Sequence, residues 1–162
     1  MIFISEQAMV SKLADIEPSQ RGTRIVIEEG VMIDSFVKIK PAGGTGDVMI
    51  GRNSKINSGC VLYSGNGIQI GEDVLIAANC TLAPVNHEYR SRHQTIKEQR
   101  FMKSRGGIVI EDDVWIGANS VILDGAILRK GCVVGANSLV TGELEPYTVY
   151  VGSPVKKVGV RD

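Results

Sequence analysis

Isoleucine, leucine and valine return every six residues along most of this chain. In the C-terminal half Ile110, Ile116, Ile122, Leu128, Val134 and Val140 hold that spacing without a break. Four residues after each come Val114, Ser120, Ala126, Cys132, Ser138 and Leu144, which are mostly small. Upstream the register recurs in three sets: Ile27, Ile33, Ile39; Ile50, Ile56, Leu62; and Ile70, Ile76, Leu82. The small slot there holds Val31, Val37, Ser54, Cys60, Val74 and Cys80. A helix with period 3.6 cannot keep one apolar residue in six on a single face, whereas six is a multiple of the strand period of two. A short strand followed by a tight bend keeps its inward side chain in phase. Three such segments closing a triangle make one coil, and parallel coils stacked about 4.8 Å apart pile aliphatic on aliphatic. The pattern predicts an all-β, triangular parallel solenoid of about five coils over residues 27–145.

The five sets begin at Ile27, Ile50, Ile70, Ile110 and Leu128. Each of the first three is followed by an insertion: about Thr45 to Met49, Ile68 with Gln69, and Glu88 to Val109. If each set is one turn, all three insertions leave from one vertex of the prism. Ile4, Val10 and Ile16 repeat the spacing without the turn pattern, so residues 1–26 read as a partial coil or N-terminal capping segment. Such a cap is expected because a bare coil end exposes an unpaired strand edge. Residues 146–162 form a C-terminal tail.

Composition fits a narrow prism. Aromatics are 5% of the 162 residues, as a core too narrow for rings requires, and 19 glycines supply bends. All three cysteines fall in the small inward slot and read as core fillers. Their odd number argues against a closed disulfide framework. Met1 to Val10 lacks a basic segment followed by a long apolar one, and no run reaches the roughly 18 apolar residues of a membrane span. A cytoplasmic location is the expectation. Eighteen basic and eighteen acidic residues cancel, which excludes a broad surface for nucleic acid or anionic membrane.

The longest insertion carries the candidate chemistry, since long loops on tight scaffolds are usually functional. It opens Val85-Asn86-His87-Glu88-Tyr89-Arg90 and runs through 86–107. His87 closes the last hexad before the loop, fixed by scaffold yet reachable, with a pKa suited to proton abstraction near neutral pH. His93 lies mid-loop without a comparable support. Arg90, Arg92, Lys97, Arg100, Lys103 and Arg105 suit either phosphates or a solvated loop surface. Trp115, the single tryptophan, faces outward or sits at a bend, and an exposed ring on a solenoid marks contact with either a ligand or another subunit.

These hexads resemble the left-handed parallel β-helix of hexapeptide-repeat acyltransferases. Asn86-His87-Glu88 followed by Asp113-Val114-Trp115-Ile116-Gly117 looks like the galactoside, maltose and lipopolysaccharide-sugar acetyltransferases. The resemblance implies acetyl-CoA as co-substrate, no metal, and His87 as the base that takes a proton from a sugar hydroxyl or amine. It assigns Trp115, Gly117, Ala118, Ala136, Thr141, Pro154 and Lys156 to acetyl-CoA, Lys156 standing where an arginine is common. It assigns Asn57, Tyr63, Ser64 and Asn86 to the acceptor. The family's acceptor-binding Asp falls at Ser64 or Gly65, a departure that weakens the match to galactoside or maltose. The resemblance further implies a homotrimer with sites between subunits and a role in surface-polysaccharide or lipopolysaccharide synthesis. Two other readings exist. A metal hydrase like the γ-class carbonic anhydrases needs three histidines on one ion, and this chain has two. A non-catalytic β-helix scaffold leaves the His87 loop and the tail without a role.

Overall fold

The computed structural model describes residues 1–162, and six complete coils and part of a seventh stack into a left-handed triangular prism. Each coil contributes one short strand to each of three parallel sheets. Coil one is Ile2–Ile4, Met9–Val10, Asp15–Ile16, and coil two is Ile25–Ile27, Met32–Ile33, Lys38–Lys40. Coil three is Val48–Ile50, Lys55–Ile56, Val61–Tyr63, and coil four is Ile68–Ile70, Leu75–Ile76, Thr81–Ala83. Coil five is Ile108–Ile110, Trp115–Ile116, Val121–Leu123, and coil six is Ile127–Leu128, Val133–Val134, Leu139–Val140. Coil seven has Glu143–Leu144 and Thr148–Val151 only. The strand Lys156–Val160 then folds back antiparallel on Thr148–Val151 and covers the C-terminal edge of the second sheet.

Register explains the spacing. Ile56 pairs with Ile33 and Ile76, and Ile76 with Ile116, so identical inward positions stack coil on coil. Alternation within each strand buries a second residue two positions earlier, which adds Ile25, Val48, Ile68 and Ile108 to a core of 29 buried hydrophobic residues. Polar occupants of the small slot donate to a turn carbonyl of the next coil: Ser54 to Gly71 at 2.8 Å, Cys60 to Ala77 at 3.1 Å, Cys80 to Gly117 at 3.2 Å, Ser120 to Gly135 at 3.1 Å. The thiols therefore fill space and satisfy backbone, and burial pushes Cys132 up to about 12.

Three details differ from the reading of the sequence. There are more than five coils, because residues 1–26 build a complete turn whose strands pair in register with coil two. Ile2, Val10 and Ile16 are only partly buried, as an end layer must be. Leu144 does not occupy a small slot; it pairs with Leu128 and opens coil seven. The insertions do share one vertex, the return vertex from the third face to the first, but Val48, Ile68 and Ile108 belong to strands, so the loops are 41–47, 64–67 and 84–107. No helix is long and apolar enough to cross a membrane.

Candidate active site

The long loop leaves the return vertex of coil four and comes back to it as a hairpin. Its two limbs meet in an antiparallel bridge between His87 and Phe101. The Glu88 amide donates to the Arg100 carbonyl at 2.9 Å and the Met102 amide to the Asn86 carbonyl at 2.9 Å. At the tip, Ile96–Gln99 makes a single helical turn started by a capping box, with Thr95 and Glu98 satisfying each other's backbone amides. The Gln99 side chain ties that turn to the Ser91 backbone through both its amide groups.

This bridge orients His87. Its Nδ1 lies 3.1 Å from the Arg100 carbonyl, and a carbonyl can only accept. Nδ1 therefore carries the proton in the neutral ring and donates, which leaves the Nε2 lone pair free. The Phe101 ring packs against the imidazole with centroids 5.0 Å apart. His87 sits between two clefts. One, of about 690 Å³, is lined by Asn86, Tyr89, Ile96, Met102, Lys103, Arg105 and Asp124. The other, of about 300 Å³, is lined by Ala42, Gly43, Tyr63, Ala83, Val85 and Phe101. The ring is exposed to both, an arrangement that can accept a proton from a group entering either side.

Asp124 is the buried carboxylate beside the loop at this vertex. It is 3% exposed, in the turn of coil five that lies directly against the loop. Arg105 grips it with two parallel bonds, Nε to Oδ2 at 2.9 Å and Nη2 to Oδ1 at 2.7 Å. The Asn86 side-chain amide also donates to Oδ1. The bonds from Arg105 hold the Asp124 carboxyl below the usual carboxylate range, and Asp124 in turn raises the Arg105 guanidinium. The sequence reading did not single out Asp124.

The structure divides the expected site residues into two groups. Tyr63 and Asn86 stand with His87 at the return vertex. Ser64 is at the same vertex but fully buried, its hydroxyl without a partner. Gly117, Ala118 and Ala136 stack at the vertex between the second and third faces, where the Asn137 amide bonds the Ala118 carbonyl at 2.9 Å. The tail joins them there: Leu139 donates to Gly152 at 3.0 Å and Val155 to Leu139 at 3.1 Å, which sets Pro154 and Lys156 beside that edge. Lys157 is paired with Glu145 at 2.6 Å, whereas Lys156 enters no ion pair. Thr141 follows Val140 at the return vertex, exposed. Trp115 is 47% exposed on the second face. Asn57 is not brought to His87 within one chain; its side-chain amide donates to the Ile76 carbonyl at 2.7 Å on the far edge of the third face. No three of the His, Cys, Asp and Glu side chains converge into a group that could hold a metal ion.

A stacked-hexad prism with one histidine-bearing loop and a small-residue edge defines a class. Residues 107–142 match the family described as bacterial transferase hexapeptide (six repeats), and residues 44–84 the hexapeptide repeat of succinyl-transferase. The protein belongs to the hexapeptide-repeat acyltransferases. It is 32% identical over 133 residues to a putative lipopolysaccharide biosynthesis O-acetyl transferase, WbbJ, of Escherichia coli, across 78% of this chain and 64% of that one. It is 32% identical over 123 residues to the galactoside O-acetyltransferase of Escherichia coli, across 72% of this chain and 57% of that one. The chain thus spans less than two thirds of these curated relatives. Among solved structures it resembles a mutant of AntD, an N-acyltransferase from Bacillus cereus, in complex with dTDP-4-amino-4,6-dideoxyglucose and coenzyme A. The TM-score is 0.82 at 28% identity, over 98% of this chain and 83% of that one.

Proposed function

We propose that the protein transfers an acetyl group from acetyl-CoA to a hydroxyl or amino group of a sugar or nucleotide sugar, with His87 as general base. The observation that carries this is the bond from His87 Nδ1 to the Arg100 carbonyl, which leaves Nε2 free on a residue that lines both clefts. The acceptor's proton passes to Nε2 as its oxygen or nitrogen attacks the thioester carbonyl. The tetrahedral intermediate collapses, the C–S bond breaks, and the imidazolium returns its proton to the departing thiolate. Asn86 and Tyr63, beside His87, supply polar contacts for the acceptor. Gly117, Ala118 and Ala136 stack with no side chain larger than a methyl among them, suited to a pantetheine arm. Pro154 shapes its end, and the unpaired Lys156 meets a phosphate as a point charge. Thr141 and Trp115 complete the acetyl-CoA set.

The likeness to AntD along nearly the whole chain supports an amino sugar on a nucleotide as one acceptor class, and the Escherichia coli relatives support a sugar hydroxyl. Trp115 lies on the second face and His87 at the return vertex opposite it, which favours a homotrimer whose neighbouring copies complete each site. Three free thiols suit the reducing cytoplasm, and synthesis of a surface polysaccharide or lipopolysaccharide is the process these acceptors suggest. The test is release of CoA thiol with a panel of amino sugars, free sugars and their nucleotide derivatives, with His87→Ala beside the wild type. A general base is worth about 10²–10⁴ in rate, so the variant should lose turnover by that factor. Wild-type turnover in the variant overturns the base assignment.

A further inference from the structure

We infer that Asp124 is a positioning residue that sets the place of His87 by clamping both roots of the catalytic loop to the rigid prism. Asn86, which precedes His87, stands near the start of the loop and Arg105 near its end; one carboxylate holds both. The clamp is continuous with backbone. The Arg105 amide also reaches Asp124 Oδ2 at 3.4 Å, and the Gly125 amide donates to the Gly106 and Gly107 carbonyls at 3.3 and 3.1 Å. A Cβ on Gly125 would stand 2.9 Å from the Arg105 carbonyl oxygen, so loop and turn touch without intervening space.

The position of Asp124 gives it leverage. Its neighbours Leu123 and Ala126 belong to coil five, whose strands pair on both sides. The loop itself buries none of the residues of its helical turn and is held by hydrogen bonds. A segment with so little apolar burial is free to open locally unless something ties its ends. The carboxylate is nearly buried, and removing one partner of such a charge-assisted network is costly because the remaining groups lose theirs. His87 has no bond of its own to the prism; its ring bonds the opposite limb of the same loop. Asn66 also holds the Pro84 carbonyl at the first root, through its side chain at 2.7 Å and its amide at 3.3 Å, but between there and the imidazole the side-chain ties to the prism run through Asn86 and Arg105.

This inference rests on the acetyl-transfer reading for its effect on rate, and on geometry alone for its effect on the loop. The experiment compares Asp124→Asn with wild type in two measurements. The first is amide hydrogen exchange at Glu88 and Met102, whose bonds close the hairpin. Exchange there should rise by at least about tenfold in the variant, while the Ile116 amide in coil five is unchanged. The second is CoA thiol release from acetyl-CoA. Misplacement of a base by about 1 Å costs about 10²-fold, so kcat should fall about ten- to a hundredfold with the KM for acetyl-CoA unchanged. In a His87→Ala background the same substitution should leave the residual rate as it was, because the clamp acts through His87. Unchanged exchange, or an equal loss of rate in both backgrounds, overturns the inference. If Asp124→Asn does not fold, Arg105→Gln breaks the clamp from its exposed side and is read the same way. Full turnover in His87→Ala would instead overturn the base assignment, and the exchange measurement would still judge the clamp.

Discussion

Two glycines at neighbouring vertices should respond to the same substitution with opposite signs. Gly117 sits at the small-residue edge with ordinary backbone dihedrals, so an alanine there meets no conformational penalty. Its Cβ, however, would lie 2.5 Å from the Ala136 nitrogen, 2.8 Å from the Gly135 carbonyl carbon and 2.9 Å from the Ala136 Cα. All three are backbone atoms of the next coil and cannot rotate away. Overpacking of this kind costs about 1–3 kcal/mol, offset by about 0.4–1 kcal/mol from the stiffer unfolded chain. The net loss is about 1–2 kcal/mol. At Gly142 nothing lies within 4 Å of a built Cβ and the backbone is again ordinary. There only the unfolded-state term remains, a gain of about 0.4–1 kcal/mol. The two variants should differ by about 1.5–3 kcal/mol. With a urea slope of about 1–3 kcal/mol per molar, that separates their midpoints by on the order of 1 M. The assay is equilibrium urea unfolding followed by far-ultraviolet circular dichroism, with wild type between the two. Gly117→Ala at or above the wild-type midpoint would refute the claim that coils touch backbone to backbone at this edge.

Phe36 is 66% exposed at φ 64°, in a column whose other left-handed members are Gly59, Asn79, Asn119 and Asn137. Since a left-handed backbone costs most L-residues about 1–2 kcal/mol and asparagine much less, Phe36→Asn should stabilise by about 1 kcal/mol, and a thermal or urea midpoint no higher than wild type refutes it. Asp124 titrates below its ordinary value of 3.8 because Arg105 bonds it, so the stability it contributes is complete above that value and is lost as pH falls through the depressed one. Arg105→Gln should move the midpoint of acid unfolding to higher pH; an unmoved midpoint shows that the pair does not contribute. If neighbouring copies complete each site, His87→Ala and Trp115→Ala, each deficient alone, should recover activity when unfolded together and reassembled at equal amounts. About a quarter of the sites then pair one intact side with another, whereas a site within one chain recovers nothing.

The hexads were legible because prism geometry forces the same inward position on every face, and aliphatic residues answer to it from Ile27 to Val140. What escaped was the start of each coil after an insertion. Ile68 and Gln69 read as inserted residues, although Ile68-Gln69-Ile70 alternates as a strand must, and the same signal stands in Ile25-Val26-Ile27, Val48-Met49-Ile50 and Ile108-Val109-Ile110. A period-six search is blind to a residue two positions before its first hit. Coil one escaped for a different reason. Its inward residues have a neighbour on one side only, so Ile4 remains exposed, Ile2, Val10 and Ile16 are only partly buried, and the turns follow no strong pattern. His87 was visible from its place at a loop root. Asp124 was not, because a charged turn residue in sequence reads as solvated, and its partners stand 38 and 19 positions away.

Confining the insertions to one vertex has a chemical consequence. The other two vertices keep short turns, so every coil there is fixed by the one above and the one below. Loops 41–47, 64–67 and 84–107 lie on consecutive coils, and a side chain in one faces its neighbours across the coil spacing: Gly43 packs under Val85, and Gly65 under Pro84. The smaller cleft beside His87 arises from this stacking, with Ala42 and Gly43 from one loop, Tyr63 from the strand above it, and Val85 and His87 from the next. Coil five adds no loop at this vertex. Its short turn, Asp124-Gly125, is therefore free to press against the hairpin that coil four sends out. Had coil five carried an insertion as well, the carboxylate would have had to ride on a second mobile segment, and the loop would have had no rigid floor. A single long loop bounded by a short turn is the arrangement that lets a solenoid hold a loop histidine in a fixed place.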